Sequence, residues 1–342
     1  MHLDTVKISI PLKKPFTVAR GSATVKTNIL SVMNNRYNGE ASGSVHTGPP
    51  VEEIEADLKK GFKKLSTKKR INLATLDEVQ SWKLNAPARS AITAMLLHYL
   101  SGESKRYPWE ILQLATPAGI KSSFTIAIAK PEEMLQAIKN CDCSIIKIKM
   151  GNDDDITLLD GLSQITGKEI RVDANGGWLP AKAEEMIVHL SRKGVRVIEQ
   201  PTDFKEIKEW KHLKGKNEKV ELFADEGVHI LKDYQEISEF IDGVNIKMEK
   251  CGGILEGIKI ANAARKEKKK VMLGCMVESS VGISQSVYMS SLADYFDLDG
   301  PQLLESDIAE GIHYDKESIE VDAEIIGGPK LKRDVIEKYI QK

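Results

Sequence analysis

The chain is poor in cysteine. It has four in 342 residues, Cys141, Cys143, Cys251 and Cys275, too few and too irregularly spaced for a disulfide framework or a zinc cluster. Cys141-Asp142-Cys143 lacks the two-residue gap of paired zinc ligands, so reduced thiols are expected. No apolar run approaches the roughly 20 residues that span a bilayer. The opening Met1-His2-Leu3-Asp4-Thr5-Val6-Lys7 alternates like a strand and lacks the charged-then-apolar order of a secretory signal, so a cytoplasmic protein is expected. A net charge of −1 provides no field for nucleic acid or an anionic membrane, and neither partner is expected. Histidines are few, seven in all, and none falls where a strand ends. The first strand-helix unit has no glycine-rich phosphate turn, which argues against a doubly wound dinucleotide fold.

What is present is ordinary globular material, 41% hydrophobic and 29% charged, in a definite order. Residues 1–48 alternate as antiparallel strands, Val6 to Pro11 and Thr27 to Met33, with Asn38-Gly39 expected as a hairpin turn. Pro15 to Ser22 reads as a loop carrying one arginine, Arg20. Helical patterns follow at Pro50 to Leu65, Leu76 to Trp82 and Pro87 to Leu100, with Gly102 as a stop. This order makes an α+β unit. From Ser123 the pattern becomes repeated strand and helix. Eight strands are expected at Phe124–Ile128, Ser144–Lys149, Ile170–Asp173, Val195–Glu199, Glu221–Asp225, Gly243–Lys247, Val271–Gly274 and Tyr295–Asp299. Amphipathic helices fill the gaps, and eight such units predict a parallel β/α barrel. Ile319 to Asp322 and the Gly327-Gly328-Pro329 turn read as a tail that returns to the first unit.

Charged residues recur at strand ends about 25 residues apart, the length of one strand-loop-helix-loop unit. They are Lys147 and Lys149, then Asp173, Glu199 and Asp225, then Lys247. In a β/α barrel these ends surround the active site. Three carboxylates converging on one point repel unless a cation lies between them, and oxygen donors in that number suit Mg²⁺. Lys149 precedes the acids by one strand and Lys247 follows them by one, so the two lysines lie on opposite sides of the metal. One base on each face of a metal-held carboxylate can remove an α-proton from one side and return it from the other, which is racemisation or epimerisation. Burial and neighbouring cations are expected to lower the lysine pKa values. The metal, with Lys147 beside it, stabilises the enediolate. Met150 and Trp178 are expected to pack.

The set Lys147-x-Lys149, Asp173-Ala174-Asn175, Glu199-Gln200-Pro201, Asp225-Glu226 and Asn245-Ile246-Lys247 resembles the enolase superfamily, muconate-lactonizing subgroup, over nearly the whole chain. The resemblance implies a (β/α)7β TIM-like barrel under an N-terminal α+β capping domain completed by the C-terminal tail. The boundaries expected are 1–115 for the cap, 120–303 for the barrel and 304–342 for the returning segment. It also implies that Asp173, Glu199 and Asp225 bind one Mg²⁺ per subunit, with Lys149 and Lys247 as the acid/base pair. Asp297-Leu298-Asp299 resembles the motif by which dipeptide epimerases hold a substrate ammonium group, and two carboxylates suit that cation. Arg20 resembles the capping-loop arginine that binds a glutamate side chain in Ala-Glu epimerases. Thr125 and Glu278 match pocket positions. The departure from the family pattern lies in Gly39 to Pro50, which bears on the lid and on fine specificity.

The expected activity is Mg²⁺-dependent epimerisation of the C-terminal residue of a dipeptide such as L-Ala-D/L-Glu, in recycling of cell-wall peptides. A lyase or cycloisomerase such as o-succinylbenzoate synthase, an N-acylamino-acid racemase of the same subgroup and a non-catalytic peptide-binding barrel are the alternatives. Dipeptide specificity and homo-oligomerisation stay open.

Overall fold

The computed structural model describes residues 1–18, 21–43, 48–151, 155–163, 165–216 and 219–340. Strands β1 (Leu3–Val18), β2 (Gly21–Met33) and β3 (Tyr37–Ala41) form an antiparallel sheet. Helices α1 (Val51–Ser66), α2 (Leu73–Gln80) and α3 (Ala86–Ser104) pack with it. The Asn85 side chain starts α3 by accepting from Ala88 N at 3.0 Å, with Pro87 in the first turn.

Three local expectations change. The turn between β2 and β3 is Asn34–Arg36, with Asn34 and Asn35 at φ 54° and 52°, because asparagine tolerates the left-handed region. Asn38 and Gly39 lie inside β3, paired with Val32 and Ser31. Gly39 is needed there because a Cβ would sit 1.9 Å from Ala91 O, where β3 crosses α3. Gly102 does not stop α3 but lets it approach the Tyr37 ring, and the helix ends at Lys105 in a left-handed conformation. Most of the expected loop from Pro15 to Ser22 is strand. Phe16, Thr17 and Val18 pair with Ala23, Ser22 and Gly21 beyond an irregularity after Pro11. Arg20 lies outside the described residues.

After a short strand β4 (Ile120–Lys121) come β5 (Phe124–Ile126), β6 (Ile145–Lys149), β7 (Glu169–Asp173), β8 (Val197–Glu199), β9 (Glu221–Ala224), β10 (Gly243–Lys247), β11 (Lys270–Gly274) and β12 (Tyr295–Asp297). The last eight form one parallel sheet in sequence order. A parallel bridge from Ser122 to Phe296 and a 3.0 Å bond from Ser123 N to Phe296 O bring its two edges together. Helices follow each of β5 to β11, and β12 is followed directly by the short helix Gly300–Leu303, so the architecture is the expected (β/α)7β barrel beneath an N-terminal sheet and helices.

Alternation along the strands sorts the core. Ile146, Ile148, Val172, Ile198, Val244 and Ile246 are buried under the outer helices. Their neighbours on the same strands face inward, where Val197, Phe223 and Met272 form a separate apolar cluster with Tyr295 against it. Arg171 stacks on that tyrosine, its guanidinium 4.9 Å from the ring. Gly243 makes room for the Phe223 ring. Met150 and Trp178 are buried packing residues.

The last residues return to the cap. Leu304, Ile308, Leu331 and Val335 share a cluster with Val6, Ile8, Ile10 and Leu12 of β1, and Gly327 N donates to Ser101 Oγ at 3.0 Å. The β1–β2 hairpin reaches the barrel rim, where Ile128 N donates to Thr17 O at 3.0 Å. His98 ties α3 to both layers, with Nδ1 2.6 Å from Asn38 O and Nε2 3.1 Å from the Tyr288 hydroxyl.

Burial pushes the His98 imidazole down to about 4, so it stays neutral in the fold while the unfolded chain protonates it near pH 6.5. Its contribution to stability is therefore present above pH 6.5 and is lost as pH falls toward 4. The stability gap between parent protein and H98Q in urea titrations is expected to narrow by roughly 2 kcal/mol from pH 7 to pH 4.5. Parallel curves would show that His98 titrates normally.

Candidate active site

Strand register makes the site. Parallel pairing sets Lys149 beside Asp173 and Asp173 beside Glu199, so three charged side chains stand in one row at the mouth of the barrel. Asp225 follows the last residue of β9, and Lys247 ends β10. On the far side Lys247 is level with Gly274, and Gly274 with Asp297. Gly274 has a steric reason: a Cβ there would lie 2.4 Å from Asn245 Oδ1. The Asn245 amide takes that space and donates to Glu199 Oε1 at 2.8 Å.

The row is buried and dense in charge. Lys147 Nζ lies 2.9 Å from Asp173, 2.8 Å from Glu199 and 2.6 Å from Asp297. Lys149 Nζ is 2.6 Å from Asp173 Oδ2, and Lys247 Nζ is 2.6 Å from Asp225 Oδ2. Lys149 and Lys247 thus stand at opposite ends of the carboxylate trio. Burial disfavours every one of these charges, but ion pairing outweighs it at most. Asp173 is held down by Lys147 and Lys149, and Asp225 by Lys247 and Lys250. Glu199 is the exception, pushed up to about 8 by burial and by the charge of Asp173. Lys147 and Lys247 are raised, since their carboxylate partners overcome burial. The expected lowering is not found at these two lysines, where attraction to the acids exceeds burial and, at Lys247, the repulsion from Lys147.

The donor set fits a divalent cation. Among the described residues no three such side chains stand as a ready metal-holding group, because lysine ammoniums bridge the acids. The chemistry still suits an ion, since Glu199 is driven toward its neutral form by burial and by its acidic neighbours, and a doubly charged ion in place of the ammoniums would relieve that repulsion. The same ion would take over the charge that now holds the lysine protons.

The remaining expected residues fall in two places. Asp297 and Asp299 both reach β5: Ser123 Oγ donates to Asp297 Oδ1 at 2.7 Å, and Thr125 N donates to Asp299 Oδ2 at 2.7 Å. Asp299 lies past the strand, ahead of Gly300–Leu303, so contacts with β5 hold the pair together rather than strand alternation. Burial and the Asp297 charge lift Asp299 to about 6, whereas Lys147 keeps Asp297 low against its burial. Glu278 lies instead in a seam with the cap. Its Oε1 accepts from Met276 N at 2.8 Å, and burial with the charge of Glu40 pushes it up to about 8. Glu40 accepts from Asn28 Nδ2 at 2.6 Å and from Gly282 N at 3.0 Å. Glu249 accepts from Ser42 N at 2.8 Å.

Sequence reasoning passed over Lys250, whose ammonium pairs with both the carboxylate and the backbone carbonyl of Asp225. Its signal was a position three residues after Lys247, one turn along the short helix Met248–Cys251. It also gave no role to Asn175, Gln200 and Glu226, which sit inside the quoted motifs.

The family model described as Enolase C-terminal domain-like matches residues 131–322. The chain is 31% identical over 320 residues to the L-Ala-D/L-Glu epimerase of Bacteroides thetaiotaomicron, covering 91% of this chain and 83% of that one. Among solved structures it is similar to a substrate-liganded L-Ala-D/L-Glu epimerase from Bacillus subtilis, with TM-score 0.87, 24% identity and 97% of both chains covered. It is also similar to a dipeptide epimerase from Cytophaga hutchinsonii complexed with Mg and D-Ala-L-Val, with TM-score 0.89, 20% identity and 99% and 98% coverage.

Saturating Mg²⁺ is expected to raise the melting temperature of the parent by roughly 3 to 5 °C at a hundredfold excess over Kd. E199Q, which keeps the shape of a neutral Glu199, is expected to fold as stably without metal and to lose most of that rise. Equal rises in both proteins, read by differential scanning fluorimetry, would remove Glu199 from the metal site.

Proposed function

From its place in the enolase superfamily, to which the chain belongs as an isomerase, we propose that it is a Mg²⁺-dependent dipeptide epimerase that inverts the α-carbon of the C-terminal residue, with L-Ala-D/L-Glu as substrate. The observation that carries this reading is the placement of Lys149 and Lys247 at the two ends of one buried carboxylate trio, 2.6 Å from Asp173 and 2.6 Å from Asp225 respectively. The activities named for similar proteins support the substrate class.

In this reading Asp173, Glu199 and Asp225 hold the ion. When bound, it supplies Lewis-acid stabilisation for the negative charge that spreads into the substrate carboxylate. A neutral Lys149 Nζ takes the α-proton from one face, and the C–H electron pair delocalises into that carboxylate. The Lys247 ammonium delivers a proton to the other face, where the pair reforms a C–H bond with inverted configuration. The roles of the two lysines exchange for the opposite epimer. Lys147, held by Glu199 and Asp297, is a fixed cation beside the developing charge. Asp297 and Asp299 receive the substrate ammonium, with Ser123 and Thr125 fixing their orientation. Arg20 takes the glutamate side chain, Thr125 lines the pocket beside Asp299, Glu278 borders it from the seam with the cap, and residues 1–115 with 304–342 act as the cap over a barrel of 120–303. Recycling of cell-wall peptides in the cytoplasm is the context.

Proton NMR in D₂O with Mg²⁺ and L-Ala-D-Glu is expected to show loss of the glutamate α-proton signal and growth of the L-epimer. K149A and K247A are each expected to lose at least about a thousandfold in inversion, while each retains α-proton exchange on one epimer only, and on opposite epimers. No exchange across a dipeptide panel would discard epimerisation.

A further inference from the structure

The motif neighbours without a role converge. Asn175 N donates to Asp173 Oδ1 at 2.9 Å, and its Nδ2 donates to Glu226 Oε1 at 3.1 Å. Gln200 Oε1 accepts from Asp225 N at 2.9 Å and from Glu226 N at 3.2 Å. Residues from the ends of β7 and β8 thus brace the segment after β9 that carries both Asp225 and Glu226. Glu226 Oε2 and Asn175 Oδ1 are buried and have no hydrogen-bond partner among the described residues. A buried oxygen left unpaired is costly.

The backbone is unusual at the same points. Asn175 has φ 45° and Gln200 φ 41°, a left-handed region that asparagine tolerates but that disfavours glutamine and persists there only where the surroundings enforce it. The enforcement is visible: Gly176 N donates to Gln200 O at 2.7 Å, and Gln200 N to Phe223 O at 2.9 Å. Strain and unpaired oxygens therefore coincide one or two residues after the candidate metal carboxylates.

We propose that Glu226, braced by Asn175 and Gln200, is an outer-sphere positioning residue for the divalent ion: its unpaired Oε2 accepts hydrogen bonds from the ion's water ligands and sets metal affinity. This rests on the reading of Asp173, Glu199 and Asp225 as the metal carboxylates. Outer-shell partners of this kind commonly govern metal affinity by 10- to 100-fold.

The test titrates metal-free parent, E226Q and N175G with Mg²⁺ by calorimetry, and follows Mn²⁺ by water-proton relaxation, which reports the ion's bound waters. E226Q is expected to bind Mg²⁺ roughly 10- to 100-fold more weakly, and the Mg²⁺ concentration for half-maximal activity should rise by the same factor. N175G removes the brace while glycine keeps the left-handed backbone, so it should bind roughly tenfold more weakly while its metal-free melting temperature holds. Parent and E226Q binding alike, within about twofold, would overturn this inference alone. A parent that takes up no divalent ion would overturn it together with the reading beneath it. Lost affinity that tracks a lower metal-free melting temperature in both variants would also overturn it, marking Glu226 and Asn175 as packing residues.

Discussion

The structure depends on keeping charges buried at the barrel mouth. Lys147, Asp173 and Glu199 are each at most 2% exposed, and removing such groups from water costs several kcal/mol apiece. They persist because each charge has partners at ion-pair distance. Lys147 is the hub, since one ammonium joins Asp173 and Glu199 to Asp297. The arrangement links the candidate metal carboxylates to the candidate ammonium cradle through a single cation.

The fold supplies what such a cluster needs. Parallel pairing sets neighbouring strands in register, so residues at successive strand ends share one level. The floor of Val197, Phe223, Met272 and Tyr295 closes the barrel from below, which keeps the charges at low dielectric. Above, the cap contributes Glu40 and Ser42, bonded to Ser279, Gly282 and Glu249 at the barrel rim. Cap and barrel therefore meet through buried hydrogen bonds beside the site.

Around the carboxylates lies a second set of contacts that is as ordered as the first. Gln200 receives two backbone N–H groups, Asn245 steadies Glu199, and Lys250 holds Asp225 from outside. These contacts restrict where each carboxylate can point. The proposed chemistry, in which an ion is held while two lysines are freed for proton transfer, has little tolerance for misplacement.

The barrel, its eight strands and the residues at their ends were legible in the chain before folding. Strand periodicity and a recurring interval are local properties, and a charge that interrupts an apolar run stands out in one dimension. Sequence reasoning misjudged Gly39, Gly102 and the Pro15–Ser22 segment, because the reasons for those residues are a helix backbone, a tyrosine ring and a pairing partner brought from elsewhere. Folding alone brings Lys147 to three acids, places Glu278 at the cap seam and raises Lys247 rather than lowering it. Those outcomes depend on distances between residues far apart in the chain, and the balance of burial against ion pairing is set by those distances and not by residue type.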